Sequence, residues 1–308
     1  MRIVFFGSPD FALPSLEGLL AAGHEVALVV SQPAKPVGRS AALVDPPVAR
    51  RAKELGLPVF QPPTLKDDAA FARLAGVGAD LFVVVAYGKI LAQRVLDLPR
   101  LGCVNVHGSV LPRWRGASPV QAALLAGDAE SGVSLMRMEA GMDTGPVYAV
   151  ARGPIGPEED AGALAARLAR EGAELLVATL PSIEAGAVVP SPQEDSLATL
   201  CPKIRREDGQ ADFSHPAEEL VNRLRAFTPW PGLFAFRAGR RVKLLSARAV
   251  AGRAGAAPGE VLSAGEEVVV ACGAGALALG RLQAEGRRPL DAATFVRGER
   301  VAPGERWS

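Results

Sequence analysis

Two architectures in series are predicted by this 308-residue sequence: a doubly wound, mostly parallel α/β sheet, then a small antiparallel β-barrel. Three observations carry that reading. In the first half, RIVFF, EVALVV, DLFVVVAYG and GCVNVH have the length and apolar continuity of strands buried on both faces. They alternate with helical patterns, among them Leu16 to Ala22 and Pro47 to Leu55, as crossover connections in a parallel sheet require. Towards the C-terminus, RVKLLSARAV, EVVVAC and ALALGRLQ are short, glycine-punctuated runs at roughly ten-residue spacing, the pattern of a small barrel.

Taken in order, the first strand runs into Gly7-Ser8-Pro9, which is not a GxGxxG loop. Ser31-Gln32-Pro33 stands after the second strand, where an acidic ribose ligand would be needed, so dinucleotide binding is not expected. VVAYGKIL reads as a buried strand entering a turn, and GCVNVH as a strand whose end meets a Gly-Ser and Pro-Arg loop. GVSLMRM and a helix from about Glu159 to Leu180 complete the first half. Ala185 to Pro202 is Pro-rich and aperiodic, the composition of a linker. HPAEELVNRLRAF then opens the second half as an amphipathic helix, and AGRAGAAPGE reads as a loop. The expected domains are residues 1–188 and 204–308, joined by a linker at 189–203.

No apolar window reaches the roughly 18 residues of a membrane helix, and MRIVFFGSPD passes directly into a strand pattern rather than a signal peptide. A cytoplasmic location away from membranes is expected. Cys103, Cys201 and Cys272 are odd in number, widely spaced and without a Cys-x-x-Cys pair, so they read as small buried hydrophobes and no metal site is expected. Residues 204–308 hold 16 Lys and Arg against 12 Asp and Glu, whereas residues 1–203 hold 18 against 21. A basic C-terminal half on an acidic body suits a polyanionic partner.

The chemistry concentrates in LGCVNVHGSVLPRWRG, Leu101 to Gly116, and in GMDTGP around Asp143. In an extended backbone Val104 and Val106 alternate with Asn105 and His107, which puts both polar side chains on one face. An amide donor, an imidazole and a carboxylate suit acyl-type transfer, in which an oxygen gains negative charge and an amine leaves. Asp143-Thr-Gly could instead be a turn, or one half of an aspartic-protease pair. That pair needs a second copy, which the chain lacks. His24 and His215 have no comparable context and read as structural or solvated.

Asn105, His107, the following Ser109, Val110, Leu111 and Pro112, and Asp143 resemble the Asn, His, SLLP and Asp signature of the folate-dependent formyltransferases, with SVLP in place of SLLP. From FFGSPDFA through AFTPWPG the chain resembles the tRNA-formylating branch of that family. The resemblance implies a Rossmann-like formyltransferase fold with an OB-like C-terminal domain that binds tRNA. It implies transfer of a formyl group from 10-formyltetrahydrofolate to the amino group of methionine on initiator tRNA. No metal and no covalent intermediate are required, and a monomer is expected.

By the same resemblance Asn105 and His107 donate hydrogen bonds to the developing oxyanion, and Asp143 pairs with His107 and relays a proton to the departing nitrogen. Backbone groups at Tyr87 and Gly88 read the pterin, Ser109, Val110, Leu111 and Pro112 lie against the folate, and Glu139 belongs to the loop on its other side. Lys35 and Arg39 occupy a basic loop that grips the tRNA acceptor stem, with Arg113 and Arg115 at the mouth of the site. A sugar-nucleotide or purine-pathway formyltransferase would share the catalytic trio, and an idle RNA-binding protein would share the fold. The Lys35/Arg39 loop argues against the former, and the intact trio against the latter.

Overall fold

The computed structural model describes residues 1–37 and 42–308. It forms two units, Met1–Pro119 with Glu130–Pro154 and Ala165–Pro202, and Val120–Ala129 with Ile155–Leu164 and Lys203–Ser308.

In chain order the first unit contains strands β1 (Arg2–Gly7), β2 (Glu25–Val30), β3 (Lys35–Val37), β4 (Ala42–Val44), β5 (Val59–Phe60), β6 (Leu81–Val85), β7 (Cys103–His107), β8 (Arg115–Gly116), β9 (Glu130–Arg137), β10 (Val147–Pro154) and β11 (Leu200–Cys201). The main sheet has the order β10-β9-β7-β6-β1-β2-β5. β5, β2, β1, β6 and β7 are parallel, while β9 runs antiparallel to β7, and β10 to β9. The sheet is therefore doubly wound and mostly parallel, with a mixed edge.

The continuous apolar runs explain the parallel part, since every residue of β6 and β7 is buried. The helices Leu13–Ala21, Pro47–Glu54 and Asp68–Ala75 connect the parallel strands, the last capped by the Asp67 side chain accepting from the Ala70 N–H at 2.7 Å. After β5 the chain returns to place β6 on the other side of β1. That reversal leaves a crevice at the carboxyl ends of β1 and β6, the position where open α/β sheets bind ligands. Ser8 crosses it: its Oγ accepts from the Gln32 N–H at 3.1 Å, and Gln32 Nε2 donates to the Tyr87 carbonyl at 3.0 Å.

The second unit is built on β12 (Phe234–Arg237), β13 (Arg240–Val250), β14 (Val261–Ala264), β15 (Val268–Ala271), β16 (Ala276–Ala284) and β17 (Leu290–Asp291). They form an antiparallel half-barrel, ordered β12-β13-β16-β15-β14, with β17 on β16. The helix Ala217–Phe227 buries Leu220, Leu224 and Phe227, as its amphipathic pattern requires. The C-terminal tail spans the open side of the sheet. Arg306 bridges Glu260 beside β14, and Trp307, 1 % exposed, bridges Arg237 of β12.

Among the described residues, no helix is long and apolar enough to cross a membrane.

Candidate active site

The site is assembled at the carboxyl end of β7. A Cβ at Gly172 would lie 2.7 Å from Val106 Cγ1 and 3.1 Å from Val133 Cγ1, so Val106 faces the helix Ala161–Glu184. The pleat sends Asn105 and His107 to the opposite face. Both are almost wholly buried, at 9 % and 6 % exposure, which costs free energy unless their polar atoms find partners.

Those partners come from two loops. His107 Nε2 lies 3.0 Å from the Trp114 carbonyl oxygen. A carbonyl can only accept, so Nε2 carries the proton and Nδ1 is the nitrogen left to gain or lose one. Nδ1 faces Asp143 Oδ2 at 3.8 Å, too far for a direct hydrogen bond and within the reach of an ion pair. Asp143 Oδ1 lies 3.5 Å from Asn105 Nδ2, and its Oδ2 accepts the Gly116 N–H at 2.9 Å. Amide, imidazole and carboxylate thus converge.

The SVLP turn is held from beneath. Ser134 Oγ, on β9, donates to the Ser109 carbonyl at 2.7 Å and accepts the Leu111 N–H at 2.9 Å, while Ser109 Oγ donates to the Arg113 carbonyl at 2.6 Å. β8 pairs with β11, and a Cβ on Gly116, whose φ is +128°, would collide with the Cys201 carbonyl oxygen. Cys201, buried, donates its thiol to the Trp114 and Arg115 carbonyls at 3.4 Å each. Burial pushes its thiol up, away from the thiolate a nucleophile needs.

The formyl transferase family model matches residues 1–180, and the model of the formyl transferase C-terminal domain matches residues 203–300. The chain belongs to the formyl transferase family. It is 47 % identical over 309 residues to the methionyl-tRNA formyltransferase of Parvibaculum lavamentivorans, covering 99 % of each chain. It is 48 % identical over 305 residues to the methionyl-tRNA formyltransferase of Halorhodospira halophila, covering 99 % of this chain and 98 % of that one. Among solved structures, an N-formyltransferase from Helicobacter canadensis, in complex with folinic acid and dTDP-3-aminofucose, superposes with a TM-score of 0.68 at 17 % identity, covering 91 % of this chain and 99 % of that one. HypX from Aquifex aeolicus with tetrahydrofolic acid gives 0.65 at 19 % identity, covering 96 % of this chain but only 47 % of HypX. At these identities the structural matches speak for the fold.

The expected folate-facing residues of this formyl transferase are distributed as follows. Leu111 is buried, Val110 and Pro112 are partly exposed, and the Leu111–Pro112 peptide is cis. Gly88 is exposed with φ +79°, a left-handed conformation that suits glycine. Tyr87 is 2 % exposed, and its ring meets Phe6 edge-on at 5.5 Å, so the side chain belongs to the core. Its carbonyl is already taken by Gln32, and its buried hydroxyl makes no hydrogen bond among the described residues. Glu139 is exposed and paired with Arg137 at 3.1 Å. Nearby in sequence, Met142 is 57 % exposed beside Asp143, and Ile90 is 83 % exposed two residues after Gly88. An apolar, backbone-rich donor set of this kind fits a flat heteroaromatic ring.

Of the basic residues, Lys35 is exposed on β3. Its charge, after burial, helps hold Lys89 below the usual lysine value, and the Lys89 ammonium donates to the Pro62 and Pro63 carbonyls at 3.2 and 2.7 Å. Arg39 lies outside the described residues. Arg113 is exposed, its guanidinium 4.3 Å over the Trp114 ring. Arg115 departs from the expectation of a tRNA contact. It is 6 % exposed, and its guanidinium is spent on Gln193 Oε1 at 2.9 Å and Asp195 Oδ1 at 2.7 Å. It anchors the loop instead of offering charge to solvent.

Sequence reasoning missed three groups at the site: the Trp114 carbonyl, the Gly116 N–H and the Gln193 amide. The first two are backbone atoms, which no residue type announces. Gln193 sits in the aperiodic segment, and only tertiary contact reveals it.

Proposed function

We propose that this formyl transferase moves a formyl group from 10-formyltetrahydrofolate to the α-amino group of methionine on initiator tRNA, using Asn105, His107 and Asp143. The observation that carries the catalytic assignment is the convergence of the Asn105 amide, His107 Nδ1 and both Asp143 oxygens. The acceptor is supported by full-length identity of 47 % and 48 % to relatives named for that activity.

The folate supplies an activated formyl group when bound. Val110, Leu111, Pro112, Gly88 and Glu139 are the residues we assign to holding it. Asn105 Nδ2 donates to the oxygen that gains negative charge, and His107, when protonated at Nδ1, does the same. A buried donor fixed in advance stabilises developing charge without reorganising, which is where the rate comes from. Asp143 stabilises the imidazolium and passes the proton from the attacking amine towards the leaving nitrogen. The amine must be neutral to attack.

The second unit supplies a surface suited to a polyanion. Arg241, Val242, Glu285 and Arg287 border a cleft of about 220 Å³ together with Arg237 and Arg240, whose guanidiniums are held by Glu299 and Glu305 and are not free charge. An adjoining cleft of about 210 Å³ shares Arg241 and adds Arg206 and Lys243. The Arg241 guanidinium stacks 3.7 Å over Phe234, and its buried Nε makes no hydrogen bond among the described residues. We assign Arg206, Arg241, Lys243 and Arg287 of this unit and, separately, Lys35, Arg39 and Arg113 of the first unit to the tRNA backbone. The acceptor is charged and used in the cytoplasm, where we place the enzyme.

Side-by-side assays with 10-formyltetrahydrofolate test the proposal. Formylation of Met-tRNA, with no turnover of amino-sugar nucleotides or glycinamide ribonucleotide, is the expected result. Preferred turnover of either small amine would overturn it.

A further inference from the structure

We infer that Gln193 is a positioning residue for the proposed catalytic carboxylate: it clamps the Asp143 loop by its backbone and so fixes where the carboxylate points. The inference rests on the reading of Asp143 as a catalytic group.

Asp143 is one of few non-glycine residues with a left-handed backbone, φ +55°. Holding that conformation costs on the order of 1 kcal/mol, although Asp tolerates it better than most. Something must therefore pin the segment. Gln193 Nε2 donates one hydrogen to the Asp143 carbonyl at 2.8 Å and the other to the Gly145 carbonyl at 2.7 Å. The two acceptors bracket the turn that carries the carboxylate. Gly145 is pressed so closely on the Arg137 carbonyl that no side chain fits there, and the Arg137 N–H donates to the Pro146 carbonyl at 2.9 Å. The turn cannot slide away from the clamp without breaking these interactions.

The amide has one workable orientation. Its Oε1 accepts from Arg115 Nε at 2.9 Å, and two carbonyls face its nitrogen, so a flipped amide would set oxygen against oxygen and N–H against N–H. Arg115 is itself fixed by burial and by Asp195. The chain of hydrogen bonds Asp195–Arg115–Gln193–Asp143 thus ties the residues around 193 to the carboxylate. The Gly116 N–H, next to Arg115, holds the other end of the same residue by Oδ2. Backbone and side chain of Asp143 are fixed by two segments, around 193 and around 116, that the Arg115–Gln193 hydrogen bond ties together.

Gln193→Glu separates positioning from mere anchoring. Glutamate keeps an acceptor for Arg115 but turns a carboxylate oxygen towards the Asp143 and Gly145 carbonyls. A residue that only secures Arg115 would survive the change. A clamp would fail. Displacing a catalytic group by about 1 Å can cost up to about 10²-fold, so kcat for Met-tRNA should fall about 10- to 100-fold with KM for both substrates within about threefold and the melting temperature maintained. Gln193→Leu, which removes both the donors and the Arg115 acceptor without adding charge, should show the same kcat loss should the glutamate variant fold poorly, its route being read from the cycle below.

A double-mutant cycle with Asp143→Asn decides the route of the effect. If Gln193 acts through the carboxylate, Gln193→Glu or Gln193→Leu combined with Asp143→Asn should differ in kcat from Asp143→Asn alone by less than about twofold. Wild-type kcat in both Gln193 variants, or losses that multiply with that of Asp143→Asn, would overturn the inference. Near-wild-type kcat in Asp143→Asn alone would instead overturn the catalytic reading of Asp143, so the two failures are distinguishable.

Discussion

His107 donates its Nε2–H to the Trp114 carbonyl at 3.0 Å, which leaves Nδ1 facing Asp143 Oδ2 at 3.8 Å. The tautomer follows from the acceptor, and it directs the exchangeable nitrogen towards the carboxylate. The Trp114 backbone holds this carbonyl in place at φ +64°, with its N–H on Thr199 Oγ1 at 2.9 Å. Nδ1 and the carboxylate thus face the same space, where the proposed oxyanion and the transferred proton would meet them. Asp143→Asn should alter the shape of the pH–rate profile measured where chemistry limits the rate. An unchanged profile would reject the coupling.

The approach of β8 to β11 makes Gly116 a second checkpoint. Gly116→Ala must place a methyl group against the Cys201 carbonyl at a φ of +128°. The expected cost is about 1–3 kcal/mol of stability. Because the same residue donates to Asp143, kcat should fall as well. Thermal unfolding and steady-state kinetics measured together check this, and a stable, fully active variant would contradict the packing described.

The antiparallel barrel clefts predict a salt-dependent defect. Neutralising Arg241 or Lys243 should weaken Met-tRNA binding and reduce the slope of log K against log salt by about one for each phosphate no longer neutralised. Lys35→Ala should do the same on the first unit. Folate binding, followed by fluorescence quenching, should be unaffected. Equal weakening of folate binding would mean that these residues support the fold and not the acceptor.

Burial sets the alkaline behaviour. It pushes Cys103 and Tyr87 up to about 12 each, from ordinary values of 9.0 and 10.0, and Cys272 up to about 11. All three groups are neutral when protonated, and the unfolded chain releases these protons at lower pH than the folded one. Their contribution to stability is therefore fully present below the unfolded values and is lost as pH climbs through 9 and 10 towards the folded values. Chemical denaturation at about pH 8 and about pH 10.5, on either side of the unfolded values, should show the decline. Thiol reagents at the lower pH should label the native protein far more slowly than the unfolded chain. Rapid native labelling would contradict the burial.

Much of this was legible in the residues, and the gaps have physical causes. The alternation in VNVH put Asn105 and His107 on one face because a pleat has a period of two. The buried parallel strands announced themselves by unbroken apolar runs. The mixed edge did not: β10, VYAVARGP, is half-exposed and carries glycine, arginine and proline, so its periodicity is faint, and no periodicity encodes strand direction. The Pro-rich residues around 193 looked like a tether by composition. In the fold Ser191 bridges Val147, Leu200–Cys201 pairs with β8, and Gln193 reaches Asp143. Each of these joins residues far apart in the sequence, which local patterns cannot express.

Single-turnover formyl transfer to Met-tRNA, with saturating enzyme and 10-formyltetrahydrofolate, tests the central claim most directly. Asn105→Ala and His107→Ala should each slow the chemical step by about 10²- to 10³-fold, the usual cost of one fixed donor at an oxygen that gains charge, while the Kd for Met-tRNA stays near the wild-type value. A near-wild-type rate in His107→Ala would contradict the mechanism, whatever the variant does to binding.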